Sequence, residues 1–216
     1  MTSVALLFDL ENRWIENYLP TTFNTLCRFN FTKIYDAEDI SKFDLVFVLG
    51  YTRIINIKQK SENCQLYLVH ESDLPLGKGF APVQWQILEG KNDIVVSLLE
   101  LSEHVDSGDI VEQATINFNG TELYDEIREK QAKITYELIL RFLEKYPEIE
   151  NKPQAGSSTF YRKRTPSDSQ LDIDKTIREQ FLLLRTCNNS SWPAYFKYRG
   201  TKYILKIYKQ DENATE

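Results

Sequence analysis

The sequence predicts an α/β fold: a mostly parallel sheet flanked by helices, with a short C-terminal β-hairpin. Three observations carry that expectation. Short apolar runs rich in branched residues alternate with helix-like stretches through residues 4–118, a long amphipathic segment follows, and residues 194–209 alternate apolar and polar side chains about Arg199-Gly200. Alternating strand and helix signals point to βαβ units, because parallel strands need a crossover between them.

Taken in order, VALLF (4–8) opens the sheet, and KIYD (33–36), LVFVLG (45–50) and QLYLVH (65–70) follow. DIVVSLLEL (93–101) and DIVEQATINF (109–118) read as later, partly alternating strands. NRWIENYLPTTFNTLCRF (12–29) is a candidate helix interrupted by Pro20, whereas PVQWQILEG (82–90) has Pro82 in its first turn and Gly90 at its end. From Thr121, acidic Glu122, Asp125 and Glu126 precede a face of Leu123, Ile127, Ile134, Leu138 and Phe142 that runs until Pro147. That spacing predicts a long amphipathic helix. NKPQAGSST (151–159) reads as a loop, and DIDKTIREQFLLLR (172–185) as a second C-terminal helix capped by aspartate. The terminal pattern about Arg199-Gly200 predicts the hairpin, and a polar tail follows Lys209.

Composition narrows the class. The 216 residues are 42% hydrophobic and 27% charged, as in an ordinary soluble domain, and no apolar run approaches the ~20 residues needed to cross a bilayer. The N-terminus lacks the basic start and long apolar centre of a secretory signal, so a cytoplasmic location is expected. Cys27, Cys64 and Cys187 are widely spaced and form no CxxC pair, which suits reduced thiols and predicts no metal site. The formal charge of −6 argues against a nucleic-acid partner, since phosphate binding usually shows as a basic excess.

Open α/β sheets bind ligands beyond the carboxyl ends of their strands. On the strand reading His70 ends one strand, Tyr51 to Arg53 follow another, and Asp106 in EHVDSGDI precedes a third, so all three are expected at one edge. Taken singly, a strand-end histidine is more often a structural residue, and DSGD is more often a turn.

The combination is more specific. HESDLPLGKG followed by a Pro-x-x-Trp helix start and then Asp-x-Gly-Asp-Ile resembles the folate-dependent formyltransferases. That family includes methionyl-tRNA formyltransferase, glycinamide ribonucleotide formyltransferase and sugar-nucleotide N-formyltransferases. The resemblance implies that His70 and Asp106, 36 positions apart, are catalytic and that the co-substrate is 10-formyltetrahydrofolate. LGYTRII (49–55) resembles the loop that touches the folate, which implies contacts from Tyr51, Arg53 and Ile54, with Leu74 beside the pterin and Asp106 also near it. RKRTPSDSQLDIDKTIREQFLLLRTCNNSSWPAYF (162–196) resembles the region that closes the domain. The likeness is fullest over residues 45–118 and partial over 162–196, while residues 1–44 agree only in being α/β. A Rossmann-like catalytic domain over 1–150 is therefore expected, with 151–216 a C-terminal extension packed on the same domain.

The residue types suit the implied chemistry. An amine attacking a formyl carbon sheds a proton and creates an oxyanion, and an imidazole can carry that proton at neutral pH. Asp106 would orient the imidazole and favour its charged form, or would align a water or take the amine's proton. One position departs from the pattern: better-known members carry asparagine two residues before the histidine, and this chain has Leu68, which cannot donate. Gln84 or a backbone amide is the candidate substitute, and a weakened or non-catalytic folate- or nucleotide-binding relative is the alternative. Lys78, between two glycines, would cradle an anion or stand as a solvated loop lysine. His104 has no match in the family and is left outside the site.

The HxSDLPxGKG form of the loop and RKRTP look like the sugar-directed branch. They imply a nucleotide-linked amino-deoxysugar as acceptor, in surface glycan (lipopolysaccharide O-antigen) synthesis. Arg164, with Arg162 and Lys163, would meet its phosphates and Trp192 or Trp14 its base, against the plainer readings of a solvated basic turn and buried aromatics. Glycinamide ribonucleotide and methionyl-tRNA are the alternative acceptors. Tyr203, Ile204 and Ile207 on the hairpin invite a homodimer.

Overall fold

The computed structural model describes residues 1–210, so the tail expected after Lys209 lies almost wholly outside the described residues. Six strands form the main sheet: β1 (Thr2–Phe8), β2 (Phe29–Ile34), β3 (Leu45–Leu49), β4 (Gln65–His70), and, after the short β5 (Lys78–Gly79) and helix α1 (Pro82–Leu88), β6 (Asp93–Glu100) and β7 (Ile110–Asn117). Their order is β2-β1-β3-β4-β6-β7. The first four are parallel, β6 runs antiparallel to β4, and β7 antiparallel to β6. The expected mixed α/β sheet is thus present, with an antiparallel margin.

Burial explains the strand choice. Every residue of LVFVL in β3 is buried, as a central parallel strand covered on both faces requires. Alternation sends Val4, Leu6, Phe8, Leu45, Phe47, Leu49 and Tyr67 to one face, where helix α2 (Tyr124–Lys145) packs through Ile127, Leu138, Ile139 and Phe142. Ala5, Leu7, Val46, Val48 and Leu66 point to the other face, against Ile40 and Cys64. The same period of two places Leu68 and His70 on this second face.

Three expected elements differ. The first candidate helix is two 3-10 turns, Arg13–Tyr18 and Thr21–Thr25. Leu19, which precedes Pro20, is extended (ψ 118°), since a following proline ring disfavours the helical region. The second strand is FNFTKI rather than KIYD, because Asp36 accepts from the Glu38 N–H and caps a 3-10 turn at Ala37–Lys42. The C-terminal helix is only α3 (Phe181–Arg185), which follows the two-residue strand β8 (Phe160–Tyr161). Asp172 accepts from Asp174 N–H instead of capping a helix, and Gln180 folds back onto both the N–H and the C=O of Asp172, so side chains take the backbone partners a helix would need.

The hairpin β9 (Ala194–Tyr198) and β10 (Thr201–Leu205) turns at Arg199 and Gly200, both at positive φ (47° and 80°). Two consecutive left-handed residues match the twist of a two-residue hairpin loop. Tyr203 and Ile204 are exposed, but Ile207 packs on the cluster of Leu171, Leu184, Cys187 and Ala194, so it is not free for a second chain. No helix among the described residues is long and apolar enough to cross a membrane.

Candidate active site

His70 is the last residue of β4, and both it and Asp106 are 6% exposed. Its Nε2 lies 2.8 Å from the carbonyl oxygen of Gly77, in the loop that returns from the strand end. A carbonyl only accepts, so Nε2 carries the hydrogen in either charge state of the ring. Nδ1 faces Asp106 Oδ2 across 3.6 Å. That separation exceeds a direct hydrogen bond. At that distance the imidazole nitrogen and the carboxylate oxygen stand side by side, an arrangement that could hand one proton from a base to a carboxylate.

Asp106 arrives by a route the sequence does not suggest. β6 runs against β4, so Glu100 pairs with Tyr67 and Leu101 N–H bonds Leu66 O, well short of the histidine end. The β6–β7 connection then folds back over the second face of the sheet, where Leu101 joins the cluster under Leu68. Gly108 makes this fold-back possible, because a Cβ there would stand 1.6 Å from the Glu100 carbonyl oxygen. At the apex Asp106 adopts φ 50°, a region that costs an L-residue but that aspartate tolerates better than most. Its Oδ2 accepts from the Gly79 N–H at 2.8 Å. Gly79 in turn has φ 97° and would press a Cβ to 2.5 Å from Tyr161 O, so both loops approach through glycine.

The other expected contacts divide. Lys78 is buried rather than solvated, donates to Ser107 Oγ at 2.7 Å, and forms no ion pair among the described residues. Leu74 is buried, whereas Ile54 is 94% exposed and joins none of the apolar clusters among the described residues. Tyr51 is half-buried against the second-face cluster with the Arg53 guanidinium 4.8 Å from its ring centre. Arg164 is turned inward, donating to Thr186 Oγ1 and Asp168 O, and Arg162 is engaged by Asp168. Trp192 lies in the turn before β9, 42% exposed. Neither Arg164 nor Trp192 bonds the loops that carry His70 and Asp106. Leu68 is half-buried in the second-face cluster, and Gln84 is buried with its Nε2 unpartnered.

Sequence reasoning missed Asp9. At the end of β1 it accepts from the N–H and hydroxyl of Thr52 and from Glu11 N–H, and so anchors the Tyr51–Arg53 loop. Burial alone would raise its pKa, yet those hydrogen bonds hold it below the usual aspartate value. Gln154 and Thr159 were also missed: Gln154 Nε2 donates to Asp106 O and Gly108 O, and Thr159 Oγ1 accepts from Gly77 N–H.

Comparison with known proteins places the chain among similar sequences and folds. The chain is 28% identical over 201 residues to methionyl-tRNA formyltransferase of Rickettsia bellii, covering 90% of this chain and 63% of that one. It therefore spans less than two thirds of that relative's length. The fold superposes on a 4-N formyltransferase from Francisella tularensis with TM-score 0.70 at 17% identity, covering 97% and 98% of the two chains. It also superposes on HypX from Aquifex aeolicus in complex with tetrahydrofolic acid, with TM-score 0.73 at 18% identity, covering 100% of this chain and 39% of that one. The family model described as formyl transferase matches residues 30–143, more than half of the chain, a span that includes both His70 and Asp106. The chain belongs to the formyl transferase family.

Proposed function

We propose that this protein transfers the formyl group of 10-formyltetrahydrofolate to the amine of a nucleotide-linked amino-deoxysugar, using His70 and Asp106. The observation that carries the reading is the 3.6 Å gap between Nδ1 and Oδ2, buried at the end of a parallel strand. The acceptor amine attacks the formyl carbon, and a new C–N bond forms as the carbonyl electrons move to oxygen. When the oxyanion collapses, the bond to the folate nitrogen breaks. The proton lost by the amine passes through the His70–Asp106 gap to that nitrogen, so atoms and charge balance.

Gln84 Nε2, buried without a partner, is the donor proposed for the oxyanion in place of the absent asparagine. A buried unpaired N–H is costly unless something uses it. Tyr51 with Arg53 stacked on it, anchored by Asp9, offers a flat ledge for a pterin, and tetrahydrofolate in the HypX complex supports that ligand class. Leu74 and Lys78 sit in the loop that follows His70, and Arg164 and Trp192 retain the acceptor side of the proposal. Residues 1–150 would form the catalytic domain and 151–216 the extension.

The sugar acceptor is supported by the acidic balance of the chain and by the likeness to the 4-N formyltransferase. The second reading, methionyl-tRNA, is favoured by the named sequence relatives. Incubation with 10-formyltetrahydrofolate and a panel of amino-sugar nucleotides, glycinamide ribonucleotide and methionyl-tRNA, read by mass gain of one formyl group, separates them. Formylation of tRNA alone overturns the sugar reading, and folate binding without any turnover makes the chain a non-catalytic relative. Three unpaired cysteines suit the reducing cytoplasm, and the exposed edge at Tyr203 and Ile204 is where a second copy would pair.

A further inference from the structure

Both loops of the candidate site are gripped by one short segment that the functional reading does not use. Lys152 exchanges two 2.8 Å backbone hydrogen bonds with Ile110, the first residue of β7. This bridge sets Gln154, two residues on, against the turn at Asp106. Its Nε2 donates to the carbonyl oxygens of Asp106 at 2.9 Å and Gly108 at 2.8 Å. Two carbonyls accept only, so the amide can face them only through its NH2 group. No other side chain bonds the Asp106 backbone among the described residues, and Asp106 is held at positive φ. A strained backbone persists where its surroundings over-determine it.

Five residues later Thr159 does the same for the histidine loop. Its Oγ1 accepts from Gly77 N–H at 2.8 Å, and its carbonyl accepts from Lys78 N–H at 2.9 Å. Gly77 is the residue whose own carbonyl fixes His70 Nε2. Beyond it, β8 pairs with β5, and Tyr161 O accepts from Phe80 N–H. The segment is thereby bonded to Asp106 itself, 48 residues away, and to Gly77, the residue that holds His70, 82 residues away.

We propose that Gln154 and Thr159 are positioning residues: Gln154 holds Asp106 in its left-handed turn, Thr159 holds the Gly77 peptide that fixes His70, and together they set the distance between the two. The functional part of this inference rests on the reading that His70 and Asp106 carry formyl transfer. The chemistry makes the variants discriminating. Gln154→Met keeps length and removes both donors, whereas Gln154→Glu places a carboxylate against two carbonyl oxygens. Thr159→Val removes the acceptor, and Thr159→Ser keeps it.

The test measures amide hydrogen exchange and steady-state kinetics on the full chain. Loss of two hydrogen bonds speeds exchange over residues 104–109 by about tenfold in Gln154→Met, with α2 unchanged. Thr159→Val does so over 75–79, and Thr159→Ser stays within about twofold of the parent. With 10-formyltetrahydrofolate and the acceptor found in the panel, kcat falls by about tenfold or more in Gln154→Met and further in Gln154→Glu, while KM for the folate moves less than about twofold. Unchanged exchange over 104–109 in the methionine variant overturns the proposal, as does faster exchange with parental kcat. If the parent formylates no acceptor, the functional reading fails by itself, and exchange still decides whether Gln154 fixes Asp106.

Discussion

Asp106 Oδ2 stands 3.6 Å from His70 Nδ1 and at the same time accepts the Gly79 N–H at 2.8 Å. One carboxylate oxygen therefore joins the two loops of the candidate site and borders the gap where a proton would move. Asparagine in its place keeps an acceptor for Gly79 and tolerates the left-handed backbone, but carries no charge. Asp106→Asn is expected to fold like the parent and to lose about 10²–10⁴ in kcat, the usual worth of a placed acid–base group. His70→Ala should fall comparably. Parental turnover in both variants, with intact circular dichroism, would remove this pair from the mechanism.

Close backbone approach is what Gly79 and Gly108 supply, and Gly79 adds a positive φ of 97°. A Cβ at Gly108 meets the Glu100 carbonyl at 1.6 Å, and one at Gly79 meets Tyr161 O at 2.5 Å. Both obstacles are main chain, so no rotamer change relieves them. Gly90, at φ 85° with nothing within 4 Å of its Cβ position, is the internal control. Alanine at Gly90 should cost about 1–2 kcal/mol of left-handed strain. Alanine at Gly108 should cost more than that and abolish transfer, since it displaces Asp106. Urea unfolding of the three alanine variants ranks them, and a Gly108→Ala variant as mild as Gly90→Ala would contradict the steric account.

How much of this was legible follows from the range of the forces involved. LVFVL and QLYLVH declare their strands because burial is written residue by residue, and Pro82 with Gly90 marks α1 because those signals are local. The resemblance carried by HESDLPLGKG and DSGDI singled out His70 and Asp106, and the fold sets them face to face. The sequence did not show that β6 runs antiparallel, so Asp106, expected at the shared edge just before a third strand, instead reaches His70 by a fold-back that depends on Gly108. Ile54 and Leu74 look alike in sequence yet one is in solvent and the other buried, because only the loop path decides. Gln154 and Thr159 left no signal, since each acts on backbone atoms of residues far away in the chain.

Gln84 offers a trade between stability and activity. Its side chain is buried and its Nε2 has no partner among the described residues, a desolvation cost of about 1–3 kcal/mol. Methionine fills nearly the same volume without a polar group. If Gln84 donates to the oxyanion, Gln84→Met should gain about 1 kcal/mol in denaturant unfolding and lose about 10²–10³ in kcat, with KM little changed. A stabilised variant with parental kcat would shift the donor role to the backbone amides.

The last prediction concerns the joint between the C-terminal segment and α2. Arg185 is fully buried, and its guanidinium grips Glu122 twice, Nη2 to Oε2 and Nε to the backbone oxygen, both at 2.9 Å. Burial alone would raise the Glu122 pKa. Hydrogen bonds from Lys130 and the backbone, with the Lys130 charge, outweigh it and lower the pKa from 4.5 to about 2. A carboxylate whose folded pKa lies below its unfolded value stabilises the fold above the unfolded pKa, and that contribution fades as pH falls from about 4.5 towards 2. The urea midpoint should therefore drop across this window. Glu122→Gln leaves Arg185 buried without its counter-charge, which should cost about 3–5 kcal/mol at pH 7. It should also make the acid drop shallower, though Glu16, lowered to about 2, and Asp168, held low by Arg162, keep part of the slope. Titration of the midpoint for parent and variant from pH 7 to pH 2.5 checks both halves, and parallel curves would show that Glu122 is not the group responsible.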